Sequence, residues 1–240
     1  MAHFLLVAGA FHGAWCWELV TPLLEAKGHR ARTVELPGMG ADKTPFAETS
    51  FTNWAWTVAD AAAACAERPI LVGHSRGGVV ISQAAELAPE AIRMSVYLAA
   101  LLVGDGRSGL DPQRRNGVDV EALVQPTTAD GLGLDATPEL LAAAYADAPG
   151  ALVARAAAQV TPEPVFALTT PLALTAQRYG TVPRGYIECL RDLVVPLDTQ
   201  RAMQAAQPCR LVRSIDTDHC PNYSAPGLLA DALDDIARAI

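Results

Sequence analysis

Residues 70–80, ILVGHSRGGVV, hold an apolar run, a polar break bounded by glycines and a second apolar run. Gly73-His74-Ser75-Arg76-Gly77 fits the pattern G-x-S-x-G. A strand pattern, PILVGH, precedes it and a helical pattern, GGVVISQAAELA, follows, which is the context in which such a motif forms a nucleophile elbow. Glycines two residues to either side leave room for a tight strand-to-helix turn with the serine Oγ projecting from its apex. The helix behind it aims free N–H groups and the positive end of its dipole at the point where negative charge develops during attack on a carbonyl. The plain alternative is a structural turn, which needs no hydroxyl at its apex.

A serine hydroxyl is a weak nucleophile and needs a base that a third group orients. Where the elbow occurs, the acid and then the histidine follow the serine along the chain. The histidines are His3, His12, His29, His74 and His219, and only His219 follows Ser75. It lies in SIDTDHCPNYSAP, between the last strand pattern and the last helical one. The acid is expected after a late strand. YIECL runs into Arg191-Asp192, so Asp192 is the expected third member. Asp198, past Pro196, is read as a helix cap. Asp216 and Asp218 share the histidine's own loop and are read as loop-shaping residues that accept from nearby amides. An oxyanion hole needs two backbone donors. Arg76, directly after the serine, is expected to supply one, and the loop AGAFHGAW the other, its glycines allowing close backbone approach.

The elements that must position these residues follow from hydrophobic periodicity. Strands are expected over 4–9, 30–36, 69–74, 94–100, 185–190 and 209–215, and helices over 17–28, 52–67, 78–89, 198–207 and 226–240. Their alternation predicts an α/β fold with a mostly parallel central sheet flanked by helices. Residues 103–183 break the rhythm with glycine-rich turns, an alanine-rich helix over 139–148 and a proline-punctuated run, and no strand is evident there. Connections of this length are usually binding elements. The expected organisation is therefore a core of residues 1–102 and 184–240 with a small, mainly helical cap, 103–183, over the end of the sheet. Apolar side chains from the first loop and the cap, Phe11, Trp15 and Tyr145, are the expected pocket wall. The alanine-rich surface of 139–158 fits a homodimer contact as well as a cap.

A chain of 240 residues that is 51% hydrophobic and carries a net charge of -8 suits one globular α/β domain. The acidic balance and scattered basic residues, Arg114–Arg115 being the largest pair, argue against a nucleic-acid partner. No apolar stretch reaches the length of a membrane helix, and the N-terminal run breaks at Gly9, reading as a first strand and not a leader. Five widely spaced cysteines without a CxxC pair point to a reducing, cytoplasmic setting with neither disulfides nor zinc. No cofactor or metal is expected.

With these pieces placed, FLLVAGAFHGAWCWELVTPLLEAKGH, ILVGHSRGG, YIECLRDLVVP and IDTDHCP together resemble an α/β-hydrolase. More narrowly, they resemble the hydroxynitrile lyase and plant methylesterase branch and its bacterial esterase relatives. The resemblance runs over nearly the whole chain except 103–183. It implies a triad of Ser75, Asp192 and His219, with Ala10 and Arg76 supplying the oxyanion-hole amides. Three positions depart from the branch. Ala8-Gly9 stands where a histidine-glycine pair usually closes the first strand. Cys220 stands where the lyases carry a lysine that stabilises departing cyanide, which favours ester hydrolysis. Arg76 replaces an apolar residue and is expected to pair with a nearby carboxylate at a solvated position, the other option being contact with an acidic substrate. The function this implies is a serine carboxylesterase on a small aryl or alkyl ester, working through an acyl-enzyme. The alternatives are a lyase or C–C bond-cleaving enzyme on the same triad, acyl transfer to another alcohol, and a non-catalytic small-molecule receptor.

Overall fold

Strand β1, His3–Val7, sends Phe4 and Leu6 to one side and Leu5 and Val7 to the other, and all four are fully buried. A strand buried on both faces belongs inside a parallel sheet covered by helices on both sides. A computed structural model describes residues 1–112, 124–127 and 131–240, and its main sheet has this form. The further strands are β2 (Arg30–Val34), β3 (Ile70–His74), β4 (Met94–Leu98), β8 (Arg184–Cys189) and β9 (Leu211–Ile215). They pair in parallel in the order β2-β1-β3-β4-β8-β9. The edge strands β2 and β9 alternate between exposed and more buried residues, while β3 and β4 are buried throughout.

The six expected strands all form, each trimmed or shifted by a residue or two. Ala8-Gly9 and Ala99-Ala100 leave the ladder because the chain turns at the carboxyl edge, where Ala99 has a φ of 43°. On one face Leu5, Val7 and Leu71 pack under α2 (Phe51–Ala63) and α3 (Gly77–Leu87), including Trp54, Val58 and Ile81. On the other, Phe4, Leu6 and Val72 pack against Trp17, against Leu24 of α1 (Thr21–Ala26), and against Leu229, Leu233 and Ile236 of the last helix, Pro226–Arg238.

Between β4 and β8 the reading of 103–183 needs correction. The expected alanine-rich helix is present as α4, Pro138–Ala144, followed by α5, Gly150–Ala157. Strands also occur there. Val124–Pro126 (β5), Gly133–Ala136 (β6) and Glu163–Pro164 (β7) form a second, antiparallel sheet. They are too short and too rich in Pro and Gly to show a period-two pattern, so their pairing rests on tertiary contacts. Arg114–Arg115 lie outside the described residues.

Candidate active site

The chain leaves β1 towards β2 on one side and reaches β3 on the other. The crevice beyond the carboxyl ends of β1 and β3 is thus a topological switch point, where open α/β sheets place their ligands. The loop after β1 and the turn after β3 meet in that crevice. Ser75, at the apex of the β3–α3 turn, has a φ of 50°, a left-handed conformation costly for a residue with a Cβ. Its amide donates to Leu98 O at 3.1 Å, and its carbonyl accepts from Gly78 N at 3.1 Å and Leu101 N at 3.0 Å. The flanking glycines are demanded by crowding: a Cβ on Gly73 would lie 2.6 Å from Gly77 O, and one on Gly77 would lie 2.8 Å from Ala8 O.

Ser75 Oγ is 2.9 Å from Nε2 of His219, and Nδ1 of His219 is 2.7 Å from Oδ2 of Asp192. A carboxylate accepts only, so Nδ1 carries the proton and Nε2 presents its lone pair to the serine hydroxyl. Asp192 is itself held. Its Oδ1 accepts from the amides of Val194 and Val195, both at 2.8 Å, and its Oδ2 from Gln200 Nε2 at 3.3 Å. Gln200 sits on α7, Leu197–Ala206, after α6, Phe166–Thr169.

The other three aspartates lie elsewhere. Asp218 is fully buried and accepts from Cys220 N and Asp147 N. Asp216 pairs with Arg191. Asp198 does not cap its helix. It stands in the first turn, and the cap position is Pro196, with no side-chain bond.

Both neighbours of Ser75 are buried. His74 donates from Nε2 to the backbone carbonyl of His219 at 2.8 Å, and burial holds its ring well below the ordinary histidine range. Arg76 is not solvated, contrary to expectation. It is 1% exposed, its guanidinium lies 4.5 Å over the Trp54 ring, and its Nε is 2.7 Å from Oε1 of Glu163, itself 0% exposed. The anticipated carboxylate partner exists, but 87 residues away in β7 and inside the protein. Burial pushes the Glu163 carboxyl up from its ordinary value, against the pull of the Arg76 guanidinium and the Phe11 amide.

In the loop after β1, Phe11 has a φ of 67°. Its amide donates to Glu163 Oε2 at 2.9 Å, its carbonyl accepts from Thr161 N at 2.9 Å, and Gly9 O accepts from Arg76 Nη2 at 2.9 Å. His12 Nδ1 donates to Ala10 O at 2.5 Å, so its Nε2 accepts from the Tyr145 hydroxyl. Burial pushes the His12 ring down to about 4. The amides of Ala10 and Arg76 have no hydrogen-bond partner among the described residues.

A cavity of about 50 Å³ adjoins Ser75 and His219, with a wall that includes Ala10, Phe11, Leu140, Leu141, Ala144 and Val194. The structure brings Phe11 to it but not Trp15 or Tyr145. These two pack behind His12, at ring distances of 5.1 and 5.8 Å. His12 and Glu163 were not foreseen as site residues. HGAW offered a hint of the first, and nothing local marked the second. A larger cavity, about 360 Å³ between Leu102 and Gln207, contains none of the expected site residues.

Residues 4–232 match the model of the Alpha/beta hydrolase family. This chain belongs to that family. Within it, the protein is an esterase-type hydrolase of the methylesterase and pyrethroid-hydrolase branch. It is 32% identical to methylesterase 2 of Arabidopsis thaliana, over 96% of this chain and 94% of that one. It is also 32% identical to the pyrethroid hydrolase of Sphingobium wenxiniae, over 98% and 87%. It spans 64% of a longer Arabidopsis thaliana protein named "Putative methylesterase 11, chloroplastic", at the same identity. Among solved structures, polyneuridine aldehyde esterase superposes with a TM-score of 0.89 at 26% identity, covering 99% of both chains. Tomato methylketone synthase I superposes with a TM-score of 0.88 at 28% identity, covering 99% of this chain and 98% of that one. Among the described residues of this α/β-hydrolase, no helix is long and apolar enough to cross a membrane.

Proposed function

We propose that this α/β-hydrolase is a serine carboxylesterase acting on a small aryl or alkyl ester. The observation that carries the reading is the line of hydrogen bonds from Ser75 Oγ through the His219 ring to Asp192, 2.9 and 2.7 Å long. His219 takes the Ser75 proton as Oγ attacks the ester carbonyl, and the carbonyl π pair moves onto oxygen. The amides of Ala10 and Arg76 stabilise that oxyanion, and His219 Nε2 then passes its proton to the departing alcohol. Water, deprotonated by the same nitrogen, releases the acid from Ser75.

The described residues of 103–183 serve as the cap. Leu140, Leu141 and Ala144 close the cavity above the serine, and its volume suits a short acyl group. Hydrolysis is favoured over cyanide-releasing lyase chemistry by Cys220. A thiol carries no positive charge, and burial raises the Cys220 thiol well above its ordinary value, so the side chain stays neutral and offers departing cyanide no cation. The test is turnover of p-nitrophenyl acetate by the protein and by Ser75→Ala. Rapid hydrolysis lost in the variant supports the reading, and equal background rates in both overturn it.

A further inference from the structure

Two backbone amides on different loops make a working oxyanion hole only if their separation is fixed. Ala10 follows β1 and Arg76 follows β3, and the described hydrogen bonds include none that joins their amides directly. Two side chains span the gap, Glu163 and Arg76 itself. Glu163 accepts from the Phe11 amide with Oε2 at 2.9 Å and from Arg76 Nε with Oε1 at 2.7 Å. The Arg76 fork continues to Gly9 O at 2.9 Å. Residues on both sides of Ala10 are therefore tied, through Glu163 and Arg76, to the residue after the nucleophile.

The tie is rigid for physical reasons. Glu163 and Arg76 are 0% and 1% exposed, so water cannot replace a lost bond. Phe11 occupies a left-handed conformation that a side chain disfavours, and the Glu163 and Thr161 bonds to its amide and carbonyl hold it there. Trp54 closes the open face of the guanidinium. Glu163 is delivered by β7, which pairs Leu134 with Glu163 in the small antiparallel sheet.

We infer that Glu163 is a positioning residue of the oxyanion hole, a carboxylate from the cap that sets the distance between the Ala10 and Arg76 amides. The inference rests on the esterase reading of the site. It makes the cap part of the catalytic geometry as well as a wall of the pocket. Glutamine at this position has one acceptor and one donor head, so an oxygen in the place of Oε2 keeps the Phe11 amide and the long 3.4 Å contact to Arg76 Nη2 but loses the 2.7 Å bond to Arg76 Nε.

The test compares the wild type, Glu163→Gln and Glu163→Ala on p-nitrophenyl acetate, with a short alkyl trifluoromethyl ketone as inhibitor. Ser75 Oγ adds to that ketone, its proton passes to His219, and the carbonyl oxygen becomes an oxyanion in the hole. The expected result is a kcat lower by about 10–100-fold at nearly unchanged KM, since a misplaced donor costs less than the ~10²–10³-fold of a lost one. The inhibition constant of the trifluoromethyl ketone rises by the same factor, while that of the matching methyl ketone, which forms no stable oxyanion, stays put. Should Glu163→Ala not fold, Glu163→Gln keeps the volume and reports the same ratio of the two constants. An unchanged ratio, or a loss carried by KM, overturns the inference while leaving the esterase intact. A wild type without Ser75-dependent turnover removes the esterase reading and this inference with it.

Discussion

His74 Nε2 donates to the backbone carbonyl of His219 at 2.8 Å, so the residue before Ser75 holds the loop that carries His219. The two rings lie 4.8 Å apart. The β3–α3 turn thereby holds Ser75 and His219, 144 residues apart in sequence, as one unit.

Replacing His74 by leucine removes this bond and leaves a buried carbonyl unpaired. The kcat for p-nitrophenyl acetate is expected to fall by about 10–100-fold, the scale of a misplacement near 1 Å. His74→Gln, which keeps a donor, should recover part of the loss. Equal rates for His74→Leu and wild type would mean that the bond does not position the base.

Asp192→Asn keeps the side-chain shape but offers an amide head that stabilises the wrong tautomer of His219. The expected loss is about 10⁴-fold in kcat, as in other Ser-His-Asp sites. Steady-state kinetics decides this, and a loss below tenfold would show that Asp192 does not orient the ring.

His12 makes stability depend on pH. Its ring is pushed down to about 4 by burial, against about 6.5 in the unfolded chain. Between those values the unfolded state takes up a proton that the folded state refuses. Stability therefore declines as pH falls from about 6.5 to about 4, by roughly 3 kcal/mol for a shift of this size. His74, lowered by burial in the same sense, adds to the slope. Urea unfolding across this range should show the decline, and His12→Gln should show a shallower one. Parallel slopes for the two proteins would refute the assignment.

Arg76 and Glu163 test the energetics of a buried pair. Arg76→Met alone strands a carboxylate and should cost about 3–5 kcal/mol of stability. Adding Glu163→Leu removes the stranded charge, so the double variant should be more stable than the sum of the single losses implies. Chemical denaturation of the four proteins closes the cycle, and additive losses would mean that the pair does not interact.

If the cavity beside Ser75 takes the acyl group, as proposed, it sets a size limit. With about 50 Å³ beside Ser75 and a wall that includes Leu140, Leu141 and Val194, p-nitrophenyl acetate and propionate should exceed the octanoate in kcat/KM by at least about tenfold, since each misfit methylene is worth ~1–3 kcal/mol. A flat profile over chain length would show that this cavity does not limit the acyl group.

The sequence by itself determined the parallel sheet, because runs such as FLLV and ILVG carry their burial in local composition. It also determined the candidate triad residues, because Ser75 sits in a local turn motif and His219 is the sole histidine after it. Trp15 and Tyr145 were legible as apolar aromatics, but their side of the loop was not. The tertiary structure alone decided the fate of Arg76. A lone arginine beside a helix start reads as solvated, and only the approach of Glu163 from 87 residues away makes its burial affordable. The small sheet that carries Glu163 was equally hidden, since strands of two to four residues lack a period to detect. Local pattern encodes which face of an element is buried. The partner that meets a buried charge is set by how distant segments close on one another.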